Sequence, residues 1–297
     1  MGMQVVVTGA SGFVGSHLVG ALADAGHDVR AMTRRPDEYE GPGTAVYGDV
    51  GDPESLEAAL AGADAAYYLV HSLESADFED RDAEMALNFG GACAEAGIER
   101  IIYLGGLGDD RDDLSAHLRS RRQVEQLLGV AGVPVTVLRA AVIVGHGGIS
   151  WEVTRQLVDH LPGMVTPRWV RTRTQPIALR DVVRYLVGVL EPPEALGGVY
   201  EIGGPEVLRY IDMLERAAKV LGKPLPNVSV PLLSPRLSSM WLALITDVDV
   251  ATARNLVDSM TNEVVVTDHA IEEVVPGPTL GYDEAVRLAI EAREASA

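Results

Sequence analysis

The sequence predicts an α/β protein: a doubly wound parallel sheet with a smaller C-terminal lobe. Three observations carry that prediction. Short, almost continuously apolar runs recur through the first half of the chain, helical stretches separate most of them, and a glycine-rich turn joins the first run to the first helix. Strands covered on both faces read as unbroken apolar runs, and strand–helix alternation at this spacing builds parallel sheets wound in both directions.

Taken in order, "QVVVTG" (Gln4 to Gly9) reads as a buried strand and "FVGSHLVGALADAG" (Phe13 to Gly26) as a helix ending on glycine. "DVRAMT", "TAVYGD", "DAAYYLV", "RIIYLGG" and "VPVTVLRAAVIVG" follow as β-type runs. After Gly145 the rhythm becomes irregular. A helix is expected over Trp151 to His160, then a loop with Pro162 and Pro167. "TQPIAL" and "GGVYEIGG" read as strands, with a helix from Asp181 to Leu190 between them. Beyond Pro205 come a helix, a proline-studded link at 224 to 235 and further short helices. The expected division is a core over 1–145, completed by about 174–202, with 146–173 and 203–297 forming the lobe.

Composition narrows the class. A chain of 297 residues that is 47% apolar can bury a sizeable core and is not disordered. Net charge is -19, from 43 acidic against 24 basic side chains, and only Lys219 and Lys223 are lysines. Such a surface repels nucleic acid and anionic membranes. In molar salt the screening length falls to about 3 Å and most of the self-repulsion disappears, so the composition suits a salt-loaded, halophilic cytoplasm. An ordinary acidic protein from a GC-rich genome has the same look. Cys93 is the one cysteine, which fits a reducing compartment. A strand-like run begins within three residues, leaving no room for a signal peptide, and "MWLALI" (Met240 to Ile245) is too short to span a bilayer. The expectation is a cytoplasmic protein without membrane insertion.

"TGASGFVG" (Thr8 to Gly15) follows a strand and opens a helix, the context a dinucleotide-binding turn requires. Gly9 permits the tight turn, Gly12 lets a pyrophosphate approach the helix N–H groups, and Gly15 lets the helix sit close to the sheet. Ser11, Phe13 and Val14 complete the loop. An NAD site places an acid on the ribose about twenty residues further on. Here Thr33 is followed by Arg34 and Arg35, with no carboxylate until Asp37. Guanidinium groups pair with a phosphate monoester, so these residues favour NADP(H) over NAD(H); arginines decorating an exposed turn are the plainer reading. Asp49 and Val50, after the third strand, are placed beside the adenine. Leu69, Val70 and His71 after the fourth strand, and Leu104 and Gly105 at the end of the fifth, should border the remainder of the cofactor.

Several of these stretches resemble one family in order. "VTGASGFVGSHLVGALADAGHDVRAMTR", "NFGGACAEAGIERIIYLGG", "VTVLRAAVIVG" and "QPIALRDVVRYLVGVLE" are similar to extended and atypical short-chain dehydrogenases/reductases, nearest the NmrA-like group. The resemblance covers about the first 205 residues and implies a Rossmann-type sheet. It also implies a serine or threonine after the fifth strand and a Tyr-x-x-x-Lys pair. This chain has Gly105-Gly106 at the first position and His117-Leu118-Arg119-Ser120-Arg121 at the second. The candidate catalytic residues are therefore His117 and Arg121. Arg121 can bind ribose hydroxyls, while a guanidinium nearby disfavours the imidazolium that an acid at His117 would need. A helix face turned to water explains the same spacing.

Further candidates are His146, an anion-binding wall of Arg168, Arg171 and Arg173 with Trp169, and helix-start or ion-pair roles for Glu152 and Asp181. No metal-ligand spacing and no nucleophile elbow is present. The implied function is NADPH-dependent reduction of a small carbonyl or quinone-like substrate. The alternative is a non-catalytic NADP(H) sensor or assembly subunit, NmrA-like or akin to the accessory subunit of respiratory complex I. Either reading admits a homo-oligomer or a protein partner.

Overall fold

The computed structural model describes residues 2–72, 77–160, 164–166, 168–223, 227–229, 246 and 250–296. Its centre is a seven-stranded sheet, all pairs parallel. The strands are β1 (Gln4–Thr8), β2 (Asp28–Thr33), β3 (Thr44–Tyr47), β4 (Ala65–Tyr68), β5 (Arg100–Gly106), β6 (Val135–Ala140) and an edge strand, Val199–Ile202. Their order runs from Val199–Ile202 through β6, β5, β4, β1 and β2 to β3.

The apolar runs divide residue by residue between two cores, as period-two strands must. Val5 and Val7 of β1 face one side, with Tyr67, Ile102 and Leu138; there they meet α1 (Phe13–Asp24) and α6 (Leu179–Gly188). Val6 faces the other, with Ala66, Tyr68, Ile101 and Tyr103, under α2 (Pro53–Leu60), α3 (Phe78–Ala96) and α4 (Ala116–Leu128). A third core holds the lobe together. It joins α5 (Ile149–His160) and α7 (Tyr210–Val220) to the helices Val250–Ser259 and Tyr282–Ala295.

Two predicted strands prove to be split. "VPVTVLRAAVIVG" leaves the sheet after Ala140, and Ile143–Val144 pairs instead with Ile177–Ala178. "TQPIAL" breaks at Gln175-Pro176, where proline has no N–H to give a ladder; Arg173–Thr174 pairs antiparallel with Leu208–Arg209. The helices α5 and α6 each begin two residues earlier than expected, at Ile149 and Leu179. The proline-studded link and the "MWLALI" segment lie outside the described residues apart from Asn227–Ser229. Among the described residues, no helix is long and apolar enough to cross a membrane.

Candidate functional site

Strand order reverses between β1 and β4, and an open cleft of about 1110 Å³ lies there, lined by residues at the carboxyl ends of the strands and the loops that follow them. This is where open α/β sheets take their ligands. The glycine turn forms its floor. Gly9 has φ +62°, a left-handed conformation that suits glycine, and its carbonyl accepts from the Gly12 N–H at 2.9 Å. A Cβ on Gly15 would stand 2.2 Å from the Gly9 carbonyl oxygen, so the first turn of α1 closes onto the loop only because Gly15 lacks one. Thr8, fully buried, accepts from the Leu69 N–H at 3.0 Å and locks the end of β1 to the end of β4. Gly12 is the N-cap of α1, so the unpaired N–H groups and positive dipole end of this helix face the cleft.

Most sequence-predicted cofactor residues line this one cleft. They include Gly9, Ser11, Gly12, Phe13, Val14 and Gly15 from the turn, and Thr33 and Arg34 after β2. Asp49 and Val50 join them, with Leu69, Val70 and His71, then Leu104, Gly105 and Arg121. Arg34 is exposed there and has no ion pair among the described residues.

Arg35 is a correction. It does not line the cleft, because its guanidinium turns to Glu38 at 3.2 Å, three residues along the same turn.

His117 also lies off the cleft wall. The Ser259 hydroxyl donates to the Asn255 carbonyl at 2.7 Å, so its lone pair is left for His117, whose Nδ1 donates at 3.0 Å. The ring is thereby fixed as the Nδ1–H tautomer, with no spare hydrogen. Burial first, then the charge of Arg121, push its pKa down to about 3. The expected proton donor is thus a neutral ring tying α4 to the lobe. Asn262 reinforces the tie, accepting from the Ser115 N–H and donating to the Asp113 carbonyl. Arg121, one helical turn beyond His117, does reach the cleft, its guanidinium 5.7 Å from the centre of the Tyr103 ring.

His71 opens onto the cleft and is also pushed down to about 3, by desolvation, then Arg121, then His117; water at its open side offsets part of that. Unfolded histidines titrate near 6.5, so stability owed to these two neutral rings is complete above pH 6.5 and is lost as pH falls toward 3. Melting temperature should therefore drop from pH 6.5 to 5, above the main carboxylate range. The slope should shrink in His117→Asn; an unchanged slope would show that His117 titrates alike in both states.

The missing catalytic serine has a packing cause. A Cβ on Gly105 would stand 3.0 Å from the Tyr103 ring, and one on Gly106 2.9 Å from the Leu118 side chain. Tyr103 and Tyr68 are buried, and desolvation raises both phenols, so neither replaces the absent tyrosine.

The remaining candidates fall elsewhere. His146 bonds to Glu152 at 3.2 Å, and its neighbours Gly147 and Gly148 line the cleft instead. Arg173 is engaged by Glu263 at 2.7 Å, while the side chains of Arg168 and Trp169 lie outside the described set. Glu152, in the first turn of α5, holds Arg155. Asp181, in the first turn of α6, accepts from the Leu280 N–H.

Residues that the sequence did not single out complete the walls: Met32, Arg81 and Met85 on one side, and Ile149, Ser150 and Thr252 from the lobe. Arg81 and Met85, four apart on a helix that follows a strand-end loop, were the findable pair. Among the described residues no cluster suited to a metal ion occurs. The cradle at Gly9 to Gly15 and the carboxylate-free Arg34 fit a dinucleotide, with pyrophosphate at the start of α1.

Comparison with known proteins agrees with this geometry. A family model for NAD(P)H-binding proteins matches residues 9–191. The chain is 31% identical over 231 residues to the (4-alkanoyl-5-oxo-2,5-dihydrofuran-3-yl)methyl phosphate reductase of Streptomyces griseus, covering 75% of each protein. It is 25% identical over 326 residues to the mitochondrial NADH dehydrogenase (ubiquinone) 1 alpha subcomplex subunit 9 of Arabidopsis thaliana, covering 95% of this chain and 76% of that one. Against an uncharacterized Mycobacterium tuberculosis protein the match is 28% identical but spans only 25% of that protein's length. The NADPH-dependent quinone oxidoreductase of Escherichia coli, solved with NADPH, shares the fold at TM-score 0.79 and 20% identity, over 95% of this chain and 98% of that one. The chain belongs to the NAD(P)H-binding family of atypical short-chain dehydrogenases/reductases, with a Rossmann-type α/β fold.

Proposed function

We propose that the protein is an NADPH-dependent reductase of a small conjugated carbonyl or quinone-like acceptor. The observation that carries this reading is the content of the cleft. It has an intact phosphate-cradling turn and a guanidinium, Arg34, free for a 2′-phosphate. Arg121 and neutral His71 are its hydrogen-bond donors near the end of β4, and neither holds a proton to release at neutral pH. A bound reduced nicotinamide supplies hydride. A conjugated acceptor spreads the incoming electron pair onto its oxygen, where the fixed positive charge of Arg121 stabilises it, and water supplies the proton. An isolated ketone, whose alkoxide needs an acid at once, is a poor fit. The named substrate of the Streptomyces relative, a phosphorylated carbonyl-bearing dihydrofuran, is of the favoured kind.

A panel assay tests this reading. NADPH should be consumed with quinones and unsaturated carbonyls and hardly at all with simple ketones. Turnover confined to simple ketones would contradict it.

The second reading, a non-catalytic NADP(H)-binding assembly subunit, draws on the similarity to the Arabidopsis subunit along 95% of the chain. It predicts tight NADPH binding with no acceptor reduced.

A further inference from the structure

We infer that the acceptor taken by this cleft carries an oxyanion group, a phosphate or a carboxylate, and that Arg81 holds it; the inference rests on the reductase reading above. The argument starts from how this acidic chain disposes of its arginines. Most described arginines are matched to carboxylates, as in Arg139 with Glu125 at 2.6 Å, Arg173 with Glu263 at 2.7 Å, and Arg216 with Glu206 and Asp283 at 2.6 and 2.7 Å. Arg34, Arg81 and Arg121 have no carboxylate partner among the described residues, and all three line the one cleft. In a chain of net charge -19 a free guanidinium is surrounded by candidate partners, so three left unmatched around one cavity form a local positive field in a negative surface.

Two of the three are accounted for by the cofactor: Arg34 by the 2′-phosphate and Arg121 by the nicotinamide ribose. Arg81 is left over. It is exposed in the first turns of α3, one turn before Met85, which also lines the cleft. Its neighbour Asp82 does not neutralise it. That carboxylate is buried and takes hydrogen bonds from the Ser72 N–H and hydroxyl at 2.9 and 2.7 Å and from the Ser120 hydroxyl at 3.2 Å. The same bonds anchor α3 beside Ser72, the residue after His71, so Arg81 stands near the donors proposed to hold the acceptor's oxygen. A planar five-donor guanidinium on a fixed helix suits phosphate or carboxylate recognition.

The test begins with NADPH titration of the wild-type protein, whose failure would remove the reductase reading by itself. With NADP⁺ saturating, calorimetry should then detect phenyl phosphate but not phenol. In Arg81→Gln, phenyl phosphate affinity should fall about tenfold, as should the preference for naphthoquinone sulfonate over naphthoquinone. NADPH affinity should move less than about twofold, and Arg180→Gln, a free arginine off the cleft, should change none of these. Equal loss of NADPH and phenyl phosphate affinity in Arg81→Gln would assign Arg81 to the cofactor and overturn the inference. Indifference of the wild type to the charge on the probe would overturn it too.

Discussion

Replacing Glu125 with alanine should lower stability by about 3 kcal/mol, a fall in melting temperature on the order of 5–10 °C. Glu125 sits on α4 with its carboxylate between Arg122 at 3.0 Å and Arg139 at 2.6 Å, and all three side chains are 12–14% exposed. Removing the acid leaves two largely buried cations facing each other, with Asp110 the remaining carboxylate within 2.6 Å of Arg122 and 3.7 Å of Arg139. The desolvation already suffered by the arginines is then uncompensated, which costs more than the ion pair contributes. Thermal denaturation of Glu125→Ala checks this, and Glu125→Gln, which keeps the shape, should lose less. A melting point within a degree of wild type would mean that Asp110 carries the network by itself.

The second large effect is expected at Gly15. In Gly15→Val a Cβ must be placed 2.2 Å from the Gly9 carbonyl oxygen, and that neighbour is backbone, which cannot swing aside. Either α1 withdraws from the sheet or the turn opens. Both displace the N–H groups that meet the pyrophosphate. NADPH affinity, read by fluorescence titration, should fall more than about a hundredfold, given that each charge-assisted hydrogen bond is worth roughly 1.5–3 kcal/mol. Overpacking of this kind also destabilises by about 1–3 kcal/mol. Retained NADPH affinity in a folded Gly15→Val protein would place the pyrophosphate away from this turn.

The sheet was legible because its strands are buried on both faces. Val5, Val6 and Val7 each enter a core, alternately on one side and the other, so the run reads as unbroken apolar sequence. The cofactor half of the cleft was legible for a related reason: its residues sit at strand ends and in one local turn, where chain position nearly dictates spatial position. The substrate half was not. Thr252 reaches the cleft from a helix of the lobe, and the partner of His117 is Ser259, 142 residues away. No local pattern announces either, since both depend on how the lobe packs against α4. Arg35 failed for a different reason. An acid three residues on competes for its charge at no entropic distance, and nothing in the pair Arg34-Arg35 tells which of the two is captured.

The reversal at His117 follows the same logic. Spacing placed a histidine where the family resemblance implies a proton donor, yet a serine from the distant lobe occupies its Nδ1–H and the neighbouring guanidinium keeps the ring neutral. The site therefore keeps the geometry for holding a dinucleotide while lacking an acid, which narrows the acceptors it can reduce.

The central claim is that this cleft takes the phosphorylated dinucleotide, with Arg34 meeting its 2′-phosphate. Parallel fluorescence titrations of NADPH and NADH in concentrated potassium chloride test it most directly. The account predicts saturable binding of both, with NADPH at least about tenfold tighter. Equal affinities, a preference for NADH, or no binding of either would contradict it.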